Sequence, residues 1–149
     1  MKIERFEEIK AWQEARVLVK MLCDATKSTK SFNGDYRFRE QIHSAAVSIM
    51  SNIAEGFSRR STKEFIQFLF IAKGSAAEVQ SQLYVALDQS YISEGKFNEL
   101  YTKSDEVARL TSGFIHYLLS KDKPRQLKES SKLNEPKELK KLNKPKELK

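Results

Sequence analysis

Apolar residues recur at three- and four-residue spacing through four stretches of the chain, and no stretch sustains a period of two. That pattern predicts helices that bury one face, and no sheet. The first predicted helix runs from about Arg5 to Thr29. Ile9, Trp12, Ala15, Val19, Leu22 and Thr26 mark its stripe, with Leu18 and Ala25 beside them. The second runs from about Tyr36 to Glu55 through Phe38, Ile42, Ala46, Ile49 and Ile53. The third starts near Thr62 and reaches about Tyr91, on a stripe of Phe65, Phe68, Leu69, Ala72, Ala76, Val79, Leu83 and Ala86. Ser61 and Glu64 are spaced as a capping box at its start. The fourth runs from about Lys96 to Ser120, with Phe97, Leu100, Val107, Phe114, Ile115 and Leu118 inward.

Gly34, Gly56 and Gly95 fall between these stretches and read as helix junctions, and residues 1–120 contain no proline. Four long helices with short connections predict an all-α, antiparallel up-down-up-down four-helix bundle over residues 1–120. Residues 121–149 differ. They hold all three prolines and a tandem repeat, KLNEPKELK followed by KLNKPKELK, matching at eight of nine positions. Few apolar groups are present there to offset ordering entropy, so a disordered basic tail is expected. A recent duplication is enough to explain the repeat.

Phe65–Ala72, FIQFLFIA, carries more apolar residues than one stripe needs. Once the main stripe is filled, Ile66, Phe70 and Ala77 lie on a second one, which suggests a subunit interface. The alternative is a bundle wide enough to bury both stripes itself.

Charge changes the picture of the tail more than of the body. The chain has a formal net charge of +7, of which residues 121–149 contribute +6 and residues 1–120 only +1. A basic-surface argument for nucleic acid therefore applies to the tail first, and to the body only through local patches. The one cysteine, Cys23, sits in a helical apolar pattern and reads as a small buried hydrophobe. Acidic residues interrupt any signal-like run at the N-terminus, and the longest strongly apolar run is far too short to span a bilayer. A soluble cytoplasmic protein is expected, with no membrane association.

Polar residues inside the second helix need an account. Ala45, Ser48, Asn52 and Glu55 form one row at the edge of the core, and the third helix offers Gly74, Ser75, Glu78 and Gln82 in close order. An unpaired polar group at such an edge costs about 1–3 kcal/mol. The expectation is an interhelical polar network of Ser48, Asn52, Glu55, Ser75 and Glu78, with a close approach at Gly74. Glu55 and Glu78 could also be read as a catalytic carboxylate pair, but no nucleophile, metal set or cofactor loop accompanies them. His43 and His116 lie on different helices and have no metal-ligand spacing. No catalytic residue, metal or cofactor is expected.

The stretch AAVSIMSNIAEGFSRRSTKEFIQFLFIAKGSAAEVQSQL (Ala45–Leu83), preceded by FEEIKAWQEA (Phe6–Ala15), resembles the bacterial four-helix-bundle family encoded within intervening sequences of 23S ribosomal RNA genes. The accessory variability determinant proteins of diversity-generating retroelements are similar in fold. The resemblance covers about residues 5–120. It rests on Ser48, Asn52, Ile53, Ala54, Glu55 and Gly56, then on Ala72, Gly74, Ser75 and Glu78. It implies an up-down bundle assembled as a ring, typically a homopentamer. It also implies a link to RNA or DNA through basic surface, and no established enzymatic activity.

The basic residues of the body form two clusters. Arg59, Arg60 and Lys63 surround the start of the third helix, where free N–H groups and the helix dipole favour an anion. Arg37 and Arg39 begin the second helix. The functional reading is sequence-independent phosphate contact; the plain reading is solvated loops whose arginines pair with Glu55, Glu64 or water. Two function classes follow. One is a non-enzymatic oligomeric accessory protein that binds RNA or DNA, with a larger nucleic-acid enzyme as a candidate partner. The other is a structural or protein-interaction scaffold.

Overall fold

The computed structural model describes residues 2–121. The expected disordered, repeat-bearing tail lies almost wholly outside them. Among the described residues the fold is all-helical: a 3-10 turn at Phe6–Glu8, then α1 (Lys10–Ser28), α2 (Lys30–Gly34), α3 (Tyr36–Phe57), α4 (Thr62–Asp88) and α5 (Glu94–Lys121).

The predicted first helix is divided. The Glu8 carboxylate accepts the backbone N–H groups of Glu4 and Arg5 at 2.9 and 3.4 Å, which closes a turn before the helix proper. Ile9 is extended and buried, and α1 begins after it. Its side chain keeps the helical spacing of the apolar positions, so periodicity could not reveal the break. The short α2 is also absent from the sequence reading. It is a single turn that buries Phe32 completely, and one aromatic carries no period.

The four long helices form a closed cycle of neighbours: α1 packs on α3 and α5, and α4 packs on α3 and α5. Individual contacts join α4 to its two neighbours. Gly56 near the end of α3 meets Phe65 and Phe68 at the start of α4, while Ser48 lies against Ser75 further along. On the other side of α4, Phe65 packs edge-on to Phe114, and the Ser104 hydroxyl donates to the Ala76 carbonyl. Leu18, Leu22, Ile42, Ile49, Ile53, Leu69, Leu83 and Leu100 fill the centre.

Lying between two helices, α4 needs a wide apolar arc. Ile66 therefore joins the core at 8% exposure, while Phe65 and Phe68 are only partly buried. The expectation that Ile66 faces another subunit is corrected: the chain covers it itself. Phe70 and Ala77 remain exposed.

Gly56, the penultimate residue of α3, lies at the junction as expected and is also a close contact between α3 and α4. A β-carbon there would lie 2.6 Å from Cβ of Phe68 and 2.8 Å from Cδ2 of Phe65. Gly74 is the reverse case, since a β-carbon there would meet nothing within 4 Å. The expected close approach at Gly74 does not occur within the chain.

Candidate functional site

The polar row on α3 faces α4 as its helical spacing requires, but the network is smaller than expected. Ser48 Oγ lies 3.0 Å from Ser75 Oγ, and Ser75 is 8% exposed. Asn52 Nδ2 donates to the Ser48 carbonyl at 2.8 Å and to Ser48 Oγ at 2.9 Å. Three residues, Ser48, Asn52 and Ser75, thus satisfy one another across the interhelical seam. Glu55 and Glu78 stand outside this trio. Glu55 accepts from Arg59 at 2.8 Å, and exposed Glu78 accepts the Gln82 amide at 3.4 Å. The shallow polar groove beside the trio is bordered by Glu40, Gln41, Ser44, Glu78 and Gln82. Gln82 Oε1 is buried there without a hydrogen-bond partner.

The basic residues at the start of α4 divide into held and free. Ser61 caps the helix by accepting the Glu64 N–H at 3.2 Å, and its hydroxyl donates to the Glu64 carboxylate at the same distance. That carboxylate already answers the dipole at this terminus. The Arg59 guanidinium pairs with Glu55 and lies 4.7 Å above the Phe68 ring. Arg60 and Lys63 are exposed and pair with no carboxylate of the described residues. Glu55, Ser58, Arg59, Arg60 and Glu64 line a polar hollow of about 320 Å³.

The same division holds at the start of α3. Arg39 donates to the Asn33 carbonyl and side-chain oxygen at 2.9 and 3.1 Å and stacks on Tyr36 at 4.6 Å. Arg37 is exposed. A 22-residue helix is roughly 33 Å long. The Arg37 and Arg60 clusters sit at opposite ends of α3 and do not meet within one chain.

His43 is a satisfied boundary residue, as its setting in the sequence suggests. Its Nε2 lies 2.8 Å from Thr26 Oγ1, whose own proton goes to the Leu22 carbonyl. With that proton committed, His43 donates from Nε2. Burial, with the nearby Arg39 charge, pulls its pKa down. No group of three or more His, Cys, Asp or Glu suited to a metal occurs among the described residues. None of their helices is long and apolar enough to cross a membrane.

Two apolar surface features complete the picture. Phe70 and Ile71 are each 52% exposed on the outer side of α4. A groove of about 720 Å³ runs between the N-terminal segment and α5. Its floor is Ile3, Ile9, Leu110, Gly113, Phe114 and Tyr117, and its rim includes Lys2, Lys10 and Arg109. The sequence reading missed this groove, because it forms only when the segment before α1 folds back onto α5. An interior helical glycine at position 113 was the available hint.

A family model described as 23S rRNA-intervening sequence protein matches residues 7–113. No curated protein matches the chain. Among solved structures, the chain is similar to a protein of unknown function from the S23 ribosomal protein family of Bacteroides thetaiotaomicron VPI-5482. The two share 22% identity with a TM-score of 0.65, over 70% of this chain and 97% of the other.

Proposed function

The chain belongs to the 23S rRNA-intervening sequence protein family, and from that premise we propose that it is a non-enzymatic, oligomeric, cytoplasmic accessory protein that contacts RNA or DNA phosphates. Its four long helices form an up-down-up-down bundle. The opposed sense of the contacts along α3, α4 and α5 supports this arrangement. The observation that carries the nucleic-acid reading is the pair of unpaired, exposed cations Arg60 and Lys63 at the α4 terminus. Arg37 is a further free cation, whereas Arg59 and Arg39 are held within the chain and serve its packing. A ring, with five subunits by family resemblance, would repeat each free cluster into a belt, and the basic residues of 121–149 would add a sequence-independent arm.

A scaffold reading is favoured by a different observation, the exposed Phe70–Ile71 pair on α4. Fluorescence anisotropy on a structured RNA, at low and moderate salt, separates the two. The double variant Arg60→Ala/Lys63→Ala in the full chain should bind more weakly, with a shallower salt slope. Unchanged affinity and slope would remove the body from the binding surface. No binding by the unaltered chain to RNA or to DNA would leave the scaffold reading in its place.

A further inference from the structure

Aromatic side chains at one end of the bundle form a row that crosses three helices. Phe57 at the end of α3 packs edge-on to Phe65 at the start of α4, with ring centroids 6.1 Å apart. Phe65 packs edge-on to Phe114 at 5.4 Å, and Phe114 stacks on Tyr117 at 6.2 Å in the last turns of α5. The N-terminal segment reaches the same place, since Lys2 lines the groove with Phe114 and Tyr117. The row ties these helix ends into one plate whose rings are packed on one another. Phe57, Phe65 and Phe114 are half-buried, and the Lys121 ammonium covers the Tyr117 ring at 4.5 Å.

Cations stand around this plate. Lys2, Arg60, Lys63 and Lys121 are exposed and pair with no carboxylate of the described residues. Most carboxylates here are engaged by the chain itself. Glu7 pairs with Arg5, Glu55 with Arg59, Glu8 accepts two backbone N–H groups and Glu64 is bonded to Ser61, which leaves Glu4. Residues 107–121 of α5 include no Asp or Glu, and the basic residues of 122–149 follow directly from Lys121. The other end of α3 is closer to balance. Lys27, Lys30 and Arg37 have no carboxylate partner there among the described residues, but Asp88 and Glu94 have no cation either.

We propose that the plate is a seat for duplex nucleic acid, with Lys2, Arg60, Lys63 and Lys121 contacting phosphates of one double helix laid across it. This rests on the nucleic-acid reading above and specifies the form of its ligand and the residues that share it. A duplex presents one phosphate charge per about 1.7 Å of axis, twice the density of either strand, so fixed cations gain most from it. A single strand is held instead by bases stacked on exposed aromatic rings, and here the rings are occupied. Lys27, Lys30 and Arg37 lie about 30 Å away along α3 and outside this seat. The chain leaves the plate at Lys121, so the basic residues that follow begin beside the same duplex.

The test uses full-length protein and fluorescence anisotropy at low and moderate salt. The probes are an RNA hairpin, a DNA hairpin and a single strand of the same length as the RNA. The two hairpins tell an RNA duplex from a DNA one. Lys2→Gln/Lys121→Gln removes two cations from the plate, and Lys27→Gln/Lys30→Gln removes two from the other end. The unaltered chain should hold a hairpin more tightly than the single strand. The plate variant should lose affinity on the order of tenfold, with a salt slope shallower by about 1.8, while the other variant stays with the unaltered chain. Both should keep their helical circular dichroism; Lys121→Gln alone, with half the slope change, serves if the double variant does not. Equal losses in both variants would overturn the single seat and leave the phosphate reading standing. A plate variant that binds unchanged would overturn the seat as well, and confine the contact to Arg60, Lys63 or the residues after 121. A single strand bound as tightly as the hairpins would overturn the choice of duplex. Failure of the unaltered chain to bind any probe would overturn the nucleic-acid reading and this seat with it.

Discussion

The Tyr91 hydroxyl donates to Asp35 Oδ2 at 2.6 Å, tying the turn after α4 to the residue that caps α3. Asp35 also accepts the Phe38 N–H at 3.2 Å. Both bonds favour the charged carboxylate, so its pKa is lowered, chiefly by Tyr91, and the tyrosine's own is raised. Tyr91 stacks on buried Phe32 at 5.3 Å between centroids, which explains why the single turn of α2 is needed. Replacing Tyr91 by Phe keeps the stack and removes the bond. The urea midpoint should fall with the near-ultraviolet dichroism largely retained. An unmoved midpoint would show that the stack alone holds this end together.

Glycines 56 and 74 should respond in opposite directions. Gly56→Ala places a methyl group against Phe65 and the backbone-near Cβ of Phe68, which cannot swing away. Overpacking of this kind costs about 1–3 kcal/mol. Gly74→Ala meets open space and gains helix propensity worth about 0.8–1 kcal/mol. Urea denaturation of both variants checks this. A Gly74→Ala protein less stable than the unaltered chain would mean that something outside the chain approaches there.

Acid should weaken the fold in two steps. The first involves His43, whose pKa burial pulls below its ordinary 6.5. The folded state then holds fewer protons than the unfolded one, so stability is full above about pH 6.5 and declines as pH falls through the folded value. The second involves Glu14, which bonds Lys103 across α1 and α5 at 2.6 Å and Lys10 at 3.1 Å. Those bonds, Lys103 first, hold its pKa below the ordinary 4.5. Its contribution is therefore present above about pH 4.5 and lost as pH falls through the folded value. Glu14→Gln should cost about 1 kcal/mol at pH 7. Its stability should converge on that of the unaltered chain at low pH, whereas parallel curves would deny the assignment.

Arg59 and Arg60 are neighbours with separate duties. Arg59→Ala removes a cation–π contact and an ion pair and should destabilise the chain by about 0.5–1 kcal/mol. Arg60→Ala touches no partner and should stay within about 0.5 kcal/mol. In RNA titrations the order should reverse, with Arg60→Ala the weaker binder. Equal losses of affinity would show that Arg59 leaves Phe68 to reach the ligand.

Much of the fold was legible in the sequence, because a one-faced helix must repeat its apolar residues about every 3.6 positions. The α3 stripe of Ile42, Ile49 and Ile53 is buried as that spacing requires. The Ser48, Asn52 and Ser75 trio was legible too, since polar residues beside a core stripe need partners on the next helix. Glu55 shares that helical row and still turned away, because Arg59 one turn later offered a charge without desolvation. Spacing states which direction a side chain leaves the helix, not which of two partners it takes.

The sequence by itself determined the number of long helices, the core positions along each and the cap at Ser61, because these depend on local period and local hydrogen bonding. Only the tertiary structure decided that Ile66 is covered while Phe70 and Ile71 are not, that Gly56 rather than Gly74 is the close approach, and that the N-terminal segment closes a groove on α5. Each of those depends on the position of a second element in space. A one-dimensional pattern repeats identically whether that neighbour is present or absent.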